Sequence, residues 1–202
     1  MNKPTTNKGF TLIEILVSTA LIVILAMGFL GIQYILSQNQ TSTWRSYLAI
    51  ESANVSVSGI VKEIRDARES DIGSYPLVTA NDQEIIFYSD YDSDGEVERV
   101  RYTLSGTDLT KGVIEPSGSP ISYPLVNEKT KVVSDIVQNG TQPVFYYYNS
   151  DWPTDTTNNP LVQASRIAEA RQVKIILITN AKPEDTKNDY TLESDVRLRM
   201  LY

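Results

Sequence analysis

The 202-residue chain has neither cysteine nor histidine. The first absence excludes a disulfide framework, a thiolate metal site and a cysteine nucleophile, and the second a Ser-His-Asp triad and an imidazole general base. Any catalysis would fall to carboxylates, lysine, tyrosine or serine. No acid/base pair stands out among these, so the chain reads as a non-enzyme. Basic residues are also in deficit, with 18 Lys and Arg against 25 Asp and Glu and a net charge of −7. With no Lys/Arg cluster interleaved with aromatics, the chain lacks the field that phosphate backbones require, which argues against nucleic acid as a principal partner. No repeat of about 20 to 50 residues is visible, which disfavours a solenoid. The 41% hydrophobic content, with 10 Gly and 9 Pro, suits a chain that buries a core. Its length allows one domain, or one domain and an appendage.

Charge is unevenly placed. Up to Gln40 the only charged side chains are Lys3, Lys8 and Glu14, which leaves 16 basic and 24 acidic residues for the remainder. Ile15 to Leu36 (ILVSTALIVILAMGFLGIQYIL) is uncharged and long enough for a membrane helix of about 20 residues, which makes lipid the first expected partner. Lys3 and Lys8 precede it and the acidic bulk follows. The positive-inside tendency then leaves the N-terminus in the cytoplasm and the body outside. A secretory signal would have an apolar stretch of about 7 to 15 residues and a small-residue cleavage site after it, and Ile35-Leu36-Ser37-Gln38 is a poor one.

The segment Lys8-Gly9-Phe10-Thr11-Leu12-Ile13-Glu14, at the edge of that apolar run, resembles the class III leader of type IV pilins and type II secretion pseudopilins. The resemblance implies a membrane aspartyl protease, the prepilin peptidase, as a partner. It would cut between Gly9 and Phe10, methylate the new N-terminal Phe10 and leave a mature chain of 193 residues. Glu14 then gains a role on physical grounds. A carboxylate at the end of an apolar helix is costly unless paired or protonated, and cleavage creates an ammonium on Phe10, four residues away. Pairing between adjacent subunits would compensate both charges and set the axial register of an assembling filament. Otherwise Glu14 is an interfacial residue reaching the headgroups. Gly28 and Gly31 each weaken the helix by about 1 kcal/mol relative to alanine, which marks either a hinge or a close helix-packing face.

Beyond Leu36, Trp44, Tyr47, Leu48, Val55, Ile60, Val61, Ile64 and Ala67 recur at three- and four-residue steps, with Lys62/Asp66 and Arg65/Glu69 at ion-pair spacing. The pattern predicts one helix continuing to about Glu69, with a membrane anchor plus a separate helix as the alternative. After Gly73 short β-rich runs follow: Glu84–Ser89, Val97–Leu104, Gly112–Glu115, Lys131–Val137, Val144–Tyr148, Val173–Thr179 and Leu192–Leu201. Residues 161–170 read as a short helix, and Pro116–Pro124 and Asn149–Pro160 as loops. An antiparallel sheet on the second half of the helix would bury both apolar faces. The expected organisation is a leader at 1–9, a membrane and filament-core helix at 10–36, its amphipathic continuation at 37–69, and an extracytoplasmic β-rich domain at 70–202.

Ile85 to Tyr102 (IIFYSDYDSDGEVERVRY), followed by Leu109 and the terminal Val196-Arg197-Leu198-Arg199, is similar to the J-type minor pseudopilins of type II secretion and the related PilW-type minor pilins. The similarity covers the N-terminal helix, one hairpin and the last strand. It implies an α+β, pilin-like fold, with a long N-terminal membrane/packing helix against an antiparallel β-sheet. It also implies a minor subunit at or near a filament tip, with other pilin or pseudopilin subunits and a membrane assembly platform as partners.

Within that hairpin, Asp90-Tyr91-Asp92-Ser93-Asp94-Gly95-Glu96-Val97 reproduces the first eight positions of a calcium loop. Carboxylates alternate, a glycine allows the bend, and the next carbonyl is placed to coordinate. Arg101 stands where a bidentate glutamate is needed, so Glu98 or another loop would complete the shell. The site residues in this reading are Asp90, Asp92, Asp94, Glu96 and Glu98. Asp and Gly are equally turn formers, and a solvated turn is the competing reading, so calcium is the one cofactor in view and is not required. Tyr146-Tyr147-Tyr148 reads as sheet and core packing rather than a sugar platform. Trp152 reads as a candidate exposed contact for a neighbouring subunit. Asn54 and Asn139 fit the glycosylation pattern by chance. Three functions compete: an assembly subunit, a membrane-anchored adhesive or calcium-binding module, and a two-carboxylate hydrolase that nothing in the chain singles out.

Overall fold

A computed structural model of the chain describes residues 9–180 and 189–199. Lys3 and Lys8 of the leader, and Met200 and Leu201 at the end of the last expected strand, lie outside them. The chain divides after Arg45 into two compact units. Helix α1 (Leu12–Arg65, 54 residues) starts in the first and ends in the second.

In the first unit, Leu12–Gln40 has a mean hydropathy of 2.6 and its apolar window buries nothing. It is long and apolar enough to cross a membrane. Leu16, Leu21, Ile24, Leu30 and Ile35 all stand exposed. Gly28 and Gly31 lie inside the helix, and beyond the helix's own neighbouring turns no described atom comes within 4 Å of where a Cβ would stand.

The second unit begins with the last turns of α1, which bury Ala53, Val57, Ile60, Val61 and Ile64 at the three- and four-residue steps of one helix face. Trp44, Tyr47, Leu48 and Val55, expected on the buried stripe, are exposed. The rest of the expected stripe, Ile60, Val61, Ile64 and Ala67, is buried, and Ala53 and Val57 extend the packing face toward the N-terminus. The helix stops at Arg65 rather than Glu69 because β pairing takes over. The Ala67 N–H tightens onto the Ile64 carbonyl, the Arg68 N–H donates to the Tyr88 carbonyl, and Ala67 bridges Ser89. Glu69 therefore lies beyond the helix. Neither Lys62/Asp66 nor Arg65/Glu69 is an ion pair among the described residues.

Five antiparallel strands form the first sheet in sequential order: β1 (Leu77–Ala80), β2 (Glu84–Ser89), β3 (Glu98–Ser105), β4 (Asp108–Ile114) and β5 (Lys129–Ser134). Sequence patterning misses β1, which has only four residues. Three more strands, β6 (Phe145–Tyr148), β7 (Gln172–Thr179) and β8 (Tyr190–Arg197), make a second antiparallel sheet, where a single sheet was expected. The short helix α2 (Arg166–Glu169) lies between β6 and β7. Strand β7 alternates strictly, with Val173, Ile175, Leu177 and Thr179 buried. In β3 the alternation places Glu98, Val100 and Tyr102 inside, which settles faces that the sequence leaves open. Both sheets and the end of α1 share one core, in which Ile60, Ile64, Phe87, Val100, Phe145, Tyr147 and Ile175 are fully inaccessible or nearly so. The result is an α+β chain: a long N-terminal apolar helix followed by an antiparallel β-sheet domain.

Candidate functional site

The N-terminal motif is built from local hydrogen bonds. Gly9 and Phe10 precede the helix in exposed, non-helical backbone, and Phe10 is 85% exposed. The peptide bond between them is thus sterically open to an enzyme. Thr11 occupies the N-cap. Its hydroxyl accepts the Glu14 N–H (3.3 Å), and the Glu14 carboxylate accepts both the Thr11 N–H (2.8 Å) and the Thr11 hydroxyl (2.9 Å). This reciprocal arrangement is a capping box, which satisfies two otherwise orphaned helix donors. The same carboxylate also favours the positive end of the helix dipole. Sequence reasoning gave Glu14 a charge-pairing role and missed the cap, although Thr-x-x-Glu before an apolar run is its signature.

The acidic loop joins β2 to β3. Ser93 and Gly95 take positive φ values of 66° and 98°, and at Gly95 the absence of a Cβ is what permits the bend. Asp90, Asp92 and Glu98 each present an oxygen, and the three atoms lie within 4.8 Å of one another. Asp94 and Glu96 fall outside this group. The Asp94 carboxylate turns to accept the Glu96 N–H (2.8 Å), and Glu96 stands exposed. Three residues that sequence reasoning did not single out brace the loop. Arg68 pairs with Asp90 Oδ2 at 2.6 Å, Asp71 accepts the Val97 N–H at 3.2 Å, and the Tyr123 hydroxyl donates to the Val97 carbonyl at 2.7 Å. They come from 22 or more residues away, and no local pattern announces such a contact. The other oxygen, Asp90 Oδ1, and Arg68 Nε are buried without a partner among the described residues.

Glu98 is only 2% exposed and accepts the Tyr91 N–H at 3.2 Å. Burial, helped by the charges of Asp92 and Asp94 and opposed by backbone hydrogen bonds, pushes its carboxyl up to about 7 from the ordinary 4.5. Between these values the folded chain holds a proton that the unfolded chain has released. The resulting stability is fully present below about 4.5 and is lost as pH rises through about 7. With divalent cations chelated, the wild type should lose on the order of 1 to 2 kcal/mol across that window. Glu98→Gln, which keeps an acceptor for Tyr91, should remove this dependence. Denaturant midpoints at pH 5 and pH 8 measure it, and equal slopes for the two chains would show that Glu98 does not titrate there.

The tyrosine run is structural, as expected. Tyr147 is fully buried and its hydroxyl donates to the Asn81 carbonyl at 3.0 Å, while Tyr148 stacks with Trp152. Asn139 is 3% exposed, with its amide tied to the Ile176 carbonyl and the Ile178 N–H, which removes it as a glycosylation acceptor.

Residues 5–30 match the family described as Prokaryotic N-terminal methylation motif. No curated protein matches the chain. The matched segment contains Gly9, Phe10, the capping box and about the first two thirds of the apolar span. It supports a type IV pilin-like, prepilin-processed protein with an N-terminal membrane anchor, and it indicates a structural subunit rather than an enzyme.

Proposed function

We propose that the chain is a minor pilin or pseudopilin, cut after Gly9 by prepilin peptidase, methylated on Phe10 and assembled into a type IV pilus or a type II secretion pseudopilus. In this reading residues 1–9 are the leader, residues 10–36 cross the cytoplasmic membrane with the N-terminus inside, and the β-rich body stands outside. The subunit initiates or caps the filament at its tip, alongside other pilin-like subunits and the assembly platform. The observation that carries the reading is the exposed Gly9–Phe10 bond directly ahead of a capped apolar helix, inside the segment that matches the methylation motif.

Intact-mass analysis of the chain from cells that carry the peptidase is the direct test. The expected species lacks residues 1–9 and carries one added methyl group. Gly9→Val should leave only the uncleaved precursor in the membrane. An uncleaved, unmethylated wild-type chain would overturn the reading. A deletion strain scored for both exported enzymes and surface filaments assigns the system.

The convergence of Asp90, Asp92 and Glu98 favours calcium binding as a second property of the same domain. Three carboxylate oxygens this close fit the shell of a cation whose ligands sit at about 2.3 to 2.6 Å, and the unpartnered Asp90 Oδ1 suits the same role. Arg68 already neutralises Asp90 through Oδ2, so calcium would share that carboxylate with it through Oδ1. Calorimetry of the full chain in micelles should give a saturable heat with calcium that Asp92→Asn removes. No heat from the wild type would leave the loop a solvated turn braced by Arg68.

A further inference from the structure

The outer face of the second sheet carries a recess with an unusual composition. Strand pairing sets Tyr148, Gln172 and Arg197 side by side across β6, β7 and β8. Their neighbours Tyr147, Val173 and Val196 point into the core, so this row faces the other way. The loop after β6 folds back onto it, and Trp152 rests on Tyr148 with ring centroids 4.6 Å apart and a 37° tilt. The recess holds about 390 Å³, lined mainly by Asn149, Ser150, Trp152, Arg171, Gln172 and Arg197.

Two features of that lining point to a ligand. Arg171 and Arg197 are the cations of the recess, and neither forms an ion pair among the described residues. Arg171 donates through Nη1 only to the carbonyls of Ala168 and Ala170 (3.1 and 2.9 Å). Asp195, two residues before Arg197 on β8, is held by Gln172 Nε2 at 3.1 Å. In a chain of net charge −7, two guanidiniums left without carboxylate partners around one recess favour an anion, and the planar guanidinium fork matches a carboxylate. Beside them are an indole braced from behind by Tyr148, the Ser150 hydroxyl and Gln172 Oε1, which has no hydrogen-bond partner among the described residues. Uncharged hydrogen-bonding groups next to an aromatic plate suit a ring that offers hydroxyls on its edge and C–H bonds on its face.

We propose that this recess binds an anionic sugar unit of the uronate or sialate class. Its carboxylate sits between Arg171 and Arg197, its apolar face lies against Trp152, and its hydroxyls meet Gln172 and Ser150. The volume accommodates one or two such rings and falls at the small end of ligand sites. An acidic peptide is the poorer occupant, because an extended polyanion needs more than two cations and has no use for the indole. The assignment does not depend on how the N-terminus is processed.

The test uses the full chain in micelles with Trp44→Phe, which leaves Trp152 as the only indole. Trigalacturonate and sialyllactose are titrated separately, with lactose and hexaglutamate as controls. At least one anionic sugar should give a saturable change in Trp152 emission, with lactose binding at least about tenfold more weakly, a difference of about 1.4 kcal/mol. Arg197→Gln, at an exposed strand position, should weaken binding about tenfold without altering the unfolding midpoint. Trp152→Ala, followed by calorimetry, should weaken it similarly. The assignment fails if neither anionic sugar binds, if Arg197→Gln binds as tightly as the parent, or if hexaglutamate matches the sugars, which would make the recess a site for acidic peptide.

Discussion

Glu14→Gln is expected to leave a chain that inserts in the membrane and is processed at Gly9 but no longer enters filaments. Glutamine can still accept the Thr11 N–H, so the capping box that now uses Glu14 Oε2 survives in its neutral form. What is lost is the charge. In the proposed assembly that carboxylate neutralises the Phe10 ammonium of an adjacent subunit at the margin of the bilayer. An ammonium left unpaired there costs about 3 kcal/mol or more, enough to lower subunit addition by a factor of about one hundred. Glu14→Ala should be equally defective and should also fray the first turn, at about 1 kcal/mol. Thr11→Ala removes the cap while retaining the charge, and should assemble. Immunoblots of sheared filaments and of membranes, run for all three variants, separate the two roles. Wild-type filament incorporation by the glutamine variant would reduce Glu14 to a helix cap.

This separation matters because charge pairing is read from the sequence, whereas the cap emerges only from the Thr11–Glu14 hydrogen bonds. The apolar run, the Gly-Phe pair and the lone carboxylate are contiguous, so they are legible without any knowledge of tertiary structure. The acidic loop is only half legible for the opposite reason. Alternating carboxylates and Gly95 can be read off the chain, yet which of them converge depends on β3. The pairing of Ser89 with Glu98 brings Glu98 back beside Asp90, while Asp94 is spent on its own turn. Arg68, the cation that meets Asp90, comes from the segment after α1, and only the bridge of Ala67 to Ser89 puts it there. The recess at Trp152 is less legible still. Gln172 and Arg197 meet through β7–β8 register, and the loop that carries Trp152 offers Gly-poor, Pro- and Asn-rich sequence with no period to follow.

The fold was readable where burial imposes a period and unreadable where it does not. Strand β2 coincides with its apolar run Glu84–Ser89, and β7 with its alternation. Strand β4 extends four residues earlier than Gly112, because Leu109 is a core residue separated from the next buried position by Thr110 and Lys111. Only the first part of the stripe on α1 is misplaced: Ile60, Val61, Ile64 and Ala67 are buried as expected, whereas Trp44, Tyr47 and Leu48, large and apolar at the right steps, are exposed and the packing face uses Ala53 and Val57 instead. That one apolar set became two sheets follows from the break after Ser134. There Val137 bridges Thr179 and Val144 hydrogen-bonds to Asp82, so the chain leaves β5 to begin a new layer over the same core.

Where α1 meets the first sheet, the contact is not purely apolar, and Glu63→Ala should be as damaging as truncating a large core side chain. The Glu63 carboxylate accepts from Lys111 Nζ at 2.7 Å and from the Tyr102 hydroxyl at 2.8 Å. The side chains of Glu63 and Lys111 are 13% and 14% exposed, and Lys111 Nζ also lies 4.1 Å above the Tyr91 ring. Burial, with the carboxylate beside it, holds Tyr102 well above the ordinary phenol range, so it remains a donor. Removing Glu63 leaves the largely buried Lys111 ammonium and the Tyr102 hydroxyl without their shared acceptor, at a cost of about 3 to 5 kcal/mol. That is a large share of the roughly 5 to 15 kcal/mol that holds a domain together. Glu63→Gln, which keeps an acceptor for Tyr102, should cost less, about 1 to 3 kcal/mol. The double variant Glu63→Leu with Lys111→Met should recover most of the alanine loss, because two apolar groups leave no charge behind. Urea midpoints of the full chain in micelles measure all three. If the double variant proves as unstable as Glu63→Ala, the loss comes from packing at this turn of the helix and not from an unpaired charge.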